Sequence, residues 1–204
     1  MKKYNFQKVF TVFKKNYVTI PLEIFGKDPY KTLISILLSS RTKDEVTLIS
    51  SNKLFCKAST INKLKKLKEP EIEKLIYPVG FYKTKAKNLI KLANIINNDF
   101  KGRIPDTRKE LISLPGVGRK TANLVLNRAF SFPAIAVDTH VHRISNLLGW
   151  VKTNKPENTE KELVKIVPKK YWKDMNRLFV SIGRQNSGKK LNKFLRGYNL
   201  IDKK

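Results

Sequence analysis

The sequence predicts an all-α protein. Apolar residues recur mostly at helical spacing, and runs that alternate apolar and polar residues, as in a strand, are nearly absent. The 9 prolines fall mostly at or near the gaps between the apolar-periodic segments, where a proline is tolerated. The pattern therefore predicts about ten helices joined by short loops, with no repeat, low-complexity segment or flexible linker.

The first helices are predicted from one apolar run and one start signal. Residues 33–38 are apolar nearly all round, and because no partner strand is evident, they are better explained as a buried helix than as a strand. Residues 42–45, Thr-Lys-Asp-Glu, have the pattern of a capping box, in which Thr42 would cap the helix that continues through Val46, Ile49 and Leu54.

Apolar spacing and a second start signal predict two further helical segments in the middle of the chain. After Thr84, one helix face carries the apolar residues, and the other faces carry polar ones that include Lys85 and Lys87. Residues 107–110 repeat the capping-box pattern before a helix over 107–113, and a second helix begins near Arg119. The apolar face after Thr84 consists of Ala86, Leu89, Ile90, Ala93 and Ile96.

The charge balance indicates a polyanionic partner. Lys and Arg number 43 against 16 Asp and Glu, which gives a net charge of +27 and favours nucleic acid as the partner. An AT-rich genome would also enrich lysine, but this bias alone does not explain how few acidic residues there are. No window approaches the ~20 apolar residues of a membrane span, and the N-terminus lacks the features of a signal peptide.

Cysteine usage limits the chemistry. Cys56 is the only cysteine, so no intramolecular disulfide and no cysteine-based metal or iron–sulfur site can form within this chain. We expect no metal and no cofactor. A reducing, intracellular location fits this composition.

The segment 114–123, LPGVGRKTAN, carries the strongest chemical signal. Its glycines permit a tight turn, and the backbone N–H groups at the following helix N-terminus can hold a phosphate. Considered alone, this is also what an ordinary tight connection looks like. Lys120 follows the turn, and Asp138 lies 18 residues later at a predicted N-cap. Alone, Lys120 would be a solvated surface charge and Asp138 a simple helix cap.

These residues resemble a known family. The segments 114–123 and 135–140, IAVDTH, are similar to endonuclease III, a bifunctional DNA glycosylase of the helix-hairpin-helix-GPD (HhH-GPD) superfamily. The similarity extends upstream through 36–42, ILLSSRT, and 79–86, VGFYKTKA, and downstream to 182–184, IGR. It therefore covers roughly residues 20–185, and its central motif is highly specific.

The resemblance implies a two-domain fold with a DNA-binding cleft between the domains. Residues 22–132 would form a six-helix bundle that contains the helix-hairpin-helix over about 107–130. Residues 1–21 and 133–204 would form a second helical domain, which carries the catalytic aspartate and a basic C-terminal tail. The expected partner is damaged double-stranded DNA, bound by a monomer.

The resemblance also implies catalytic roles for two residues. Lys120 would attack C1′ of a damaged nucleotide and displace the base, and Asp138 would assist lysine deprotonation and stabilise the cationic sugar. The resulting Schiff base would then permit β-elimination at the abasic site. Such an enzyme removes oxidised pyrimidines in base excision repair.

Further residues are expected to contact DNA. Arg41 and Phe81 match the positions of the residues that fill the gap left by an extruded base. The alternatives are a phosphate-contacting Arg41 and a core Phe81. His140 is expected near the catalytic cleft or the DNA backbone, whereas His142 is an ordinary helix residue, because two histidines spaced by two make a poor metal pair. The complete set of predicted DNA contacts is Arg41, Phe81, Pro115, Gly116, Val117, Gly118, Arg119, His140 and Arg184.

The C-terminal tail departs from the family pattern. Many endonuclease III proteins bind an iron–sulfur cluster through four cysteines after the Gly-Arg match. Here Ser187 stands where the first cysteine would fall, and no cysteine follows. We expect Leu191, Phe194 and Leu195 to pack this end apolarly instead, while the lysines of 188–196 and Arg196 supply positive charge.

Two other functions stay open at this point. A mismatch-thymine or uracil glycosylase would have the same fold. The sequence does not identify the pocket residues that would distinguish it from an enzyme for oxidised pyrimidines. A non-catalytic helix-hairpin-helix DNA-binding protein would have no need of Lys120 and Asp138 at matching positions.

Overall fold

The structure is a computed structural model that describes residues 4–202. Over these residues the chain is helical with no β-strand, which confirms the all-α prediction. Two 3-10 helices cover Pro21–Phe25 and Lys169–Tyr171. The α-helices of the described residues, in chain order, are α1 (Phe6–Lys15), α2 (Pro29–Ser39), α3 (Asp44–Lys57), α4 (Ile61–Lys65), α5 (Glu69–Ile76), α6 (Tyr82–Asp99), α7 (Arg108–Ser113), α8 (Arg119–Ala129), α9 (Thr139–Leu147), α10 (Pro156–Ile166), α11 (Trp172–Gln185) and α12 (Lys189–Gly197).

The chain forms two compact units. The middle unit is Pro21–Phe132, and the terminal unit consists of the described residues on either side of it. The described middle unit contains seven α-helices where the resemblance implied six. Two of the seven are short and lie between α3 and α6. Thr60 caps the five-residue α4 by accepting from the N–H of Lys63, and Pro70 lies in the first turn of α5.

Helix α2 lies at the centre of the middle unit. Leu33, Ile34 and Leu38 are fully buried, which confirms that the apolar run is a buried helix. It packs against α3, α6 and α8. Helices α3, α6 and α8 therefore pack against the same buried apolar helix.

The terminal unit is built around aromatic side chains from α1 and α11. Phe10, Phe13 and Phe179 are all buried. The Phe13 and Phe179 rings meet edge to face with centroids 5.0 Å apart, and Phe10 stacks on Tyr171 at 4.2 Å. Aromatic pairs of this kind stabilise a core beyond the area they bury.

The C-terminal helix α12 completes this core. Leu191 and Leu195 are buried, and the half-buried Phe194 approaches Phe13 with ring centroids 6.3 Å apart. The predicted apolar packing of the tail is therefore confirmed. The residues here do not fit an iron–sulfur cluster, because Ser187 precedes α12 and Cys56, the single cysteine of the sequence, lies in α3 of the middle unit.

No helix among residues 4–202 is both long enough and apolar enough to cross a membrane.

Replacing a buried leucine of α12 tests whether this helix is part of the core. We expect Leu195→Ala to lower the free energy of unfolding by about 3 kcal/mol, since it leaves a cavity in a fully buried position. Urea denaturation followed by circular dichroism measures the change. Lys193→Ala, at an exposed position on the same helix, should stay within about 0.5 kcal/mol of the wild type. Equal midpoints for all three proteins would contradict the packing role.

Asp174 links α1 to α11 and makes stability depend on pH. It accepts from Lys14 Nζ and from Arg177 Nε, each at 2.9 Å. Burial alone would raise the pKa of Asp174, but the hydrogen bond from Lys14 and the charge of Arg177 outweigh it and lower the pKa. A carboxylate with a lowered pKa stabilises the fold above its unfolded value, and this contribution is lost as pH falls through its folded pKa.

Asp174→Asn should therefore destabilise the protein in a pH-dependent manner. We expect a loss of about 1 kcal/mol at pH 7, because the ion pairs are partly exposed. Thermal unfolding in a pH series measures it. The gap between variant and wild type should close as pH falls through the lowered folded-state pKa of Asp174, because below it the carboxyl is protonated in both states. A gap that is constant across pH would show that the lost contribution is not electrostatic.

Candidate active site

The hairpin between α7 and α8 has the geometry that its glycines predict. Five residues, 114–118, connect the two helices, and Gly116 adopts a φ of +79°, a conformation that side chains rarely adopt. Leu114 and Val117 are buried, and the N–H of Val117 donates to the carbonyl of Leu114 at 3.1 Å. The helix-hairpin-helix is thus held together by its own apolar side chains and one turn hydrogen bond.

This geometry changes the role of Val117. We predicted it as a DNA contact along with its neighbours. Its side chain is buried and its N–H is already bonded within the turn, so Val117 shapes the hairpin and does not present a donor. The neighbouring residues Gly116 and Gly118 are exposed, and Pro115 is half-buried.

Helix α8 begins at a glycine N-cap. Gly118 has no side chain with which to cap the helix, and the first helical hydrogen bond runs from the N–H of Ala122 to the carbonyl of Gly118 at 2.9 Å. The N–H groups at a helix start point outward without intrahelical partners. At Gly118, φ is −92°, and a Cβ would meet no atom within 4 Å. The protein itself therefore does not require a glycine at this position.

The two predicted catalytic residues both lie at helix N-termini. Lys120 is exposed in the first turn of α8, next to the exposed Arg119. Asp138 is half-buried and caps α9, where its Oδ1 accepts from the N–H of Val141 at 2.9 Å. This confirms the predicted cap. The bond uses one carboxylate oxygen and holds the side chain in one orientation.

Side-chain packing explains the glycine in the segment 182–184, which resembles the family. His140 lies directly against Gly183, where any Cβ would overlap the imidazole ring. Arg143 Nη2 lies 3.4 Å from the Gly183 carbonyl oxygen and 3.5 Å from His140 Nδ1. The neighbouring Arg184 is exposed. A glycine is thus needed at 183 so that α9 and α11 can approach.

His142 belongs to a polar network inside the terminal unit. Its Nδ1 lies 2.6 Å from Thr159 Oγ1, and Asn146 donates to the His142 backbone carbonyl at 2.9 Å. This confirms His142 as a structural residue. Among the described residues, no group of three or more His, Cys, Asp and Glu side chains could hold a metal ion.

Arg41 and Phe81 come together on the middle unit. Both have positive φ, 53° and 57°, although neither is glycine. The Arg41 guanidinium carbon lies 5.3 Å from the centroid of the Phe81 ring, within the range of a cation–π contact. Phe81 is 61% exposed, so the alternative that it is a core residue is wrong.

Thr42 connects the loop that carries Arg41 to the loop that carries Phe81. Our prediction that Thr42 caps α3 is wrong. The N-cap of α3 is Lys43, with no side-chain hydrogen bond. The Thr42 hydroxyl instead accepts from the N–H of Gly80 at 3.1 Å and donates to the Ser40 carbonyl at 3.2 Å. The hydroxyl binds these partners because the fold places the turn before α6 beside it.

Lys85 also contributes to this site, although its sequence position did not reveal it. We placed it away from the apolar face of this helix; it is half-buried, and its Nζ donates to the carbonyls of Leu38 at 2.8 Å and Ser40 at 2.6 Å. Burial lowers the pKa of Lys85 to about 8. Its position beside Ala86 and four residues before Leu89, at the edge of the apolar face, is the signal that could have identified it.

A pocket of about 300 Å³ opens where these segments meet within the middle unit. One wall carries Arg41 and Phe81, and another carries the hairpin residues Pro115 and Gly116. Lys85 lies in its lining together with Asn88. Three stretches of chain that the sequence singled out separately therefore line one pocket.

Comparisons with known proteins agree on one family. The model of the HhH-GPD superfamily of base excision DNA repair proteins matches residues 34–169. Endonuclease III of Thermotoga maritima is 49% identical over 158 residues, which cover 78% of this chain and 74% of that protein.

Two solved structures are similar to the whole fold. One is a trapped endonuclease III–DNA covalent intermediate in an estranged-adenine complex, with a TM-score of 0.77 and 33% identity over 91% of this chain and 88% of that chain. The other is a non-covalent endonuclease III–DNA complex, with a TM-score of 0.79 and 30% identity over 98% of each chain.

Proposed function

Because this chain belongs to the HhH-GPD superfamily and is a base excision repair DNA glycosylase of the endonuclease III type, we propose that it is bifunctional. It removes oxidised pyrimidines from duplex DNA and then cleaves the strand at the abasic site. The observation that carries this proposal is Lys120, which is exposed in the first turn of a helix that follows the glycine hairpin and has Gly118 as its N-cap. A glycosylase that only releases the base needs no amine nucleophile there.

The hairpin binds the DNA backbone. N–H groups at the glycine-capped start of α8 donate to a phosphate, and the partial positive charge of the helix end adds to this attraction. The empty space beside Gly118 is where the phosphodiester approaches. Bound in this way, the strand lies next to Lys120.

Lys120 then carries out the covalent step. Its neutral amine attacks C1′ of the damaged nucleotide, the C1′–N glycosidic bond breaks, and the base leaves with the bonding electrons and takes up a proton. Asp138 accepts the proton of the lysine and stabilises the positive charge that develops on the sugar. Ring opening gives an iminium ion, loss of a C2′ proton follows, and the bond from C3′ to its phosphate breaks by β-elimination.

The covalent route has a counterpart among the relatives. A similar solved structure is a trapped covalent intermediate of endonuclease III with DNA, so this fold accommodates an enzyme–DNA bond. We propose that Asp138 caps α9 and assists Lys120 at the same time, since the cap bond uses only one of its two carboxylate oxygens and fixes the side chain in one orientation.

Arg41 and Phe81 fill the gap that the extruded base leaves. Phe81 offers an exposed ring that stacks between base pairs, and Arg41 offers donors to the orphaned base. The remaining predicted contacts, Arg119, His140 and Arg184, bind the DNA backbone. The enzyme acts as a monomer, and it works without an iron–sulfur cluster because α12 fills that end of the terminal unit with apolar side chains.

Borohydride trapping tests the lysine nucleophile. Reduction of the iminium ion should give a stable enzyme–DNA adduct with a duplex that contains thymine glycol, and Lys120→Gln should abolish it. Asp138→Asn should reduce the adduct rate by about a hundredfold or more while α9 stays capped, because asparagine caps as well as aspartate. Circular dichroism and thermal unfolding check that both variants remain folded.

The results separate three functions. An adduct that persists in Lys120→Gln would show that another amine is the nucleophile. Release of thymine or uracil from a mismatch, without strand cleavage or adduct, would favour a mismatch glycosylase. DNA binding without any base release would indicate a non-catalytic binding protein.

Gly118→Ala tests the phosphate site independently of chemistry. Nothing in the protein contacts the added methyl group, so we expect stability within about 1 kcal/mol of the wild type, the cost of a poorer N-cap. We expect the dissociation constant for a duplex with an uncleavable abasic-site analogue to rise about tenfold, because the methyl group blocks the phosphate. Fluorescence anisotropy measures it.

Gly116, in the same turn, provides the control for the effect of backbone strain on stability. Gly116→Ala should destabilise the protein, because its φ of +79° strains any side chain. Unchanged DNA affinity in a stable Gly118→Ala would place the phosphate elsewhere.

A further inference from the structure

We infer that Lys85 is a positioning residue for base extrusion, whose ammonium group holds the loop that carries Arg41 and, through it, the Arg41–Phe81 pair. This inference rests on the proposed role of that pair in filling the gap left by the base. The ammonium group of Lys85 bonds to the loop around Arg41 and not to Lys120 or Asp138, so Lys85 acts through this loop.

The ammonium group of Lys85 points into the protein. A lysine has three N–H donors. The carbonyls of Leu38 and Ser40 accept at 2.8 and 2.6 Å, and Thr42 Oγ1 lies 3.5 Å away. All three acceptors belong to the stretch around Arg41. With its donors directed inward, Lys85 braces this loop and does not serve as a phosphate contact.

The position of Lys85 explains why a cation is needed there. Leu38 and Ser40 lie at the C-terminal end of α2, where the last carbonyls of a helix lack intrahelical partners. This end carries partial negative charge, and α2 has no basic residue in its own last turn. The Lys85 side chain, supplied by α6, therefore caps α2.

The capped end leads directly into a constrained backbone. After Ser40, Arg41 takes a φ of +53°, a conformation that a non-glycine residue holds only when its surroundings enforce it. Lys85 binds the carbonyl of Ser40, immediately before Arg41, and approaches Thr42, immediately after it. Removing the ammonium group releases the chain on both sides of Arg41.

The loop that carries Phe81 is coupled to the same brace. Thr42 accepts from the N–H of Gly80, and a Cβ at Gly80 would lie 2.5 Å from the Arg41 carbonyl oxygen. The two loops are therefore in close contact through their backbones. A shift of the Arg41 loop must displace the turn that presents Phe81.

The test compares a damaged base that must be extruded with one that is already unpaired. Extrusion from a duplex costs unstacking and unpairing, and an unpaired base avoids most of this cost. Single-turnover base release is measured with enzyme in excess, on thymine glycol in a full duplex and on the same lesion within a loop of unpaired bases. The ratio of the two rates reports the extrusion step, because Lys120 chemistry is common to both.

Lys85→Met removes the ammonium group and keeps the alkyl chain. We expect it to slow the duplex reaction about tenfold and to leave the reaction in the unpaired loop within about twofold. Lys87→Met is the control, since it removes the same charge from an exposed position on the same helix. It should leave the rate ratio unchanged.

Two results would overturn the inference. An unchanged ratio in Lys85→Met would show that the brace does not act in extrusion. Equal slowing on both substrates would show a purely structural role. The proposed function fails in a different way, because the wild type would then release no base and form no adduct on either substrate.

The wild type provides a second measurement in case Lys85→Met does not fold. Burial lowers the pKa of Lys85 to about 8, so the brace loses its proton as pH rises from 7 to about 9.5. The ratio of duplex rate to loop rate should fall with a midpoint near pH 8, whereas effects of pH on the chemical step, which both substrates share, cancel in the ratio. The other charged residue lining the described pocket is Arg41, and an arginine is not deprotonated in proteins. A flat ratio would overturn the inference.

Discussion

The burial of α2 is the constraint on which the middle unit depends. This helix is apolar nearly all round, and it packs against α3, α6 and α8. Helix α8 carries the hairpin and Lys120 at its N-terminus, α6 begins immediately after Phe81, and α2 itself ends immediately before Arg41. One buried helix thus sets the positions of all three functional segments of this unit, because close packing leaves little freedom to the elements around it.

The helix N-termini of the site differ in a way that matches their proposed roles. Thr107 caps α7 and Asp138 caps α9, each by accepting an N–H of the first turn. The N-terminus of α8 has no such side chain, and its N-cap is a glycine with open space beside it. An uncapped helix start is less stable by itself, and a phosphate supplies the missing acceptor when DNA binds.

Apolar burial fixes the C-terminal end of the terminal unit. Helix α12 follows the Gly-Arg match and buries Leu191 and Leu195. This burial removes apolar surface from water and so holds the helix on the core. The three lysines of α12, Lys189, Lys190 and Lys193, are exposed, whereas Arg196 is half-buried.

The sequence by itself determined the features that depend on local pattern. Apolar spacing identified α2 as a buried helix, the glycines identified the hairpin, and the position of Asp138 identified its cap, because each of these structures is specified by neighbours along the chain. The similarity of the motifs to endonuclease III added the family and the two positions proposed as catalytic.

Tertiary structure decided the partners of polar groups that have several choices. Thr42 matches a capping box, but the fold places Gly80 beside its hydroxyl, and the hydroxyl binds there instead. Val117 lies in the hairpin motif, but its side chain packs inward. Lys85 is one of many lysines in a strongly basic chain, and only the packing of α6 against α2 brings its ammonium group to the end of that helix. A hydrogen-bonding group takes whichever partner the fold brings within reach, and sequence spacing does not contain that distance.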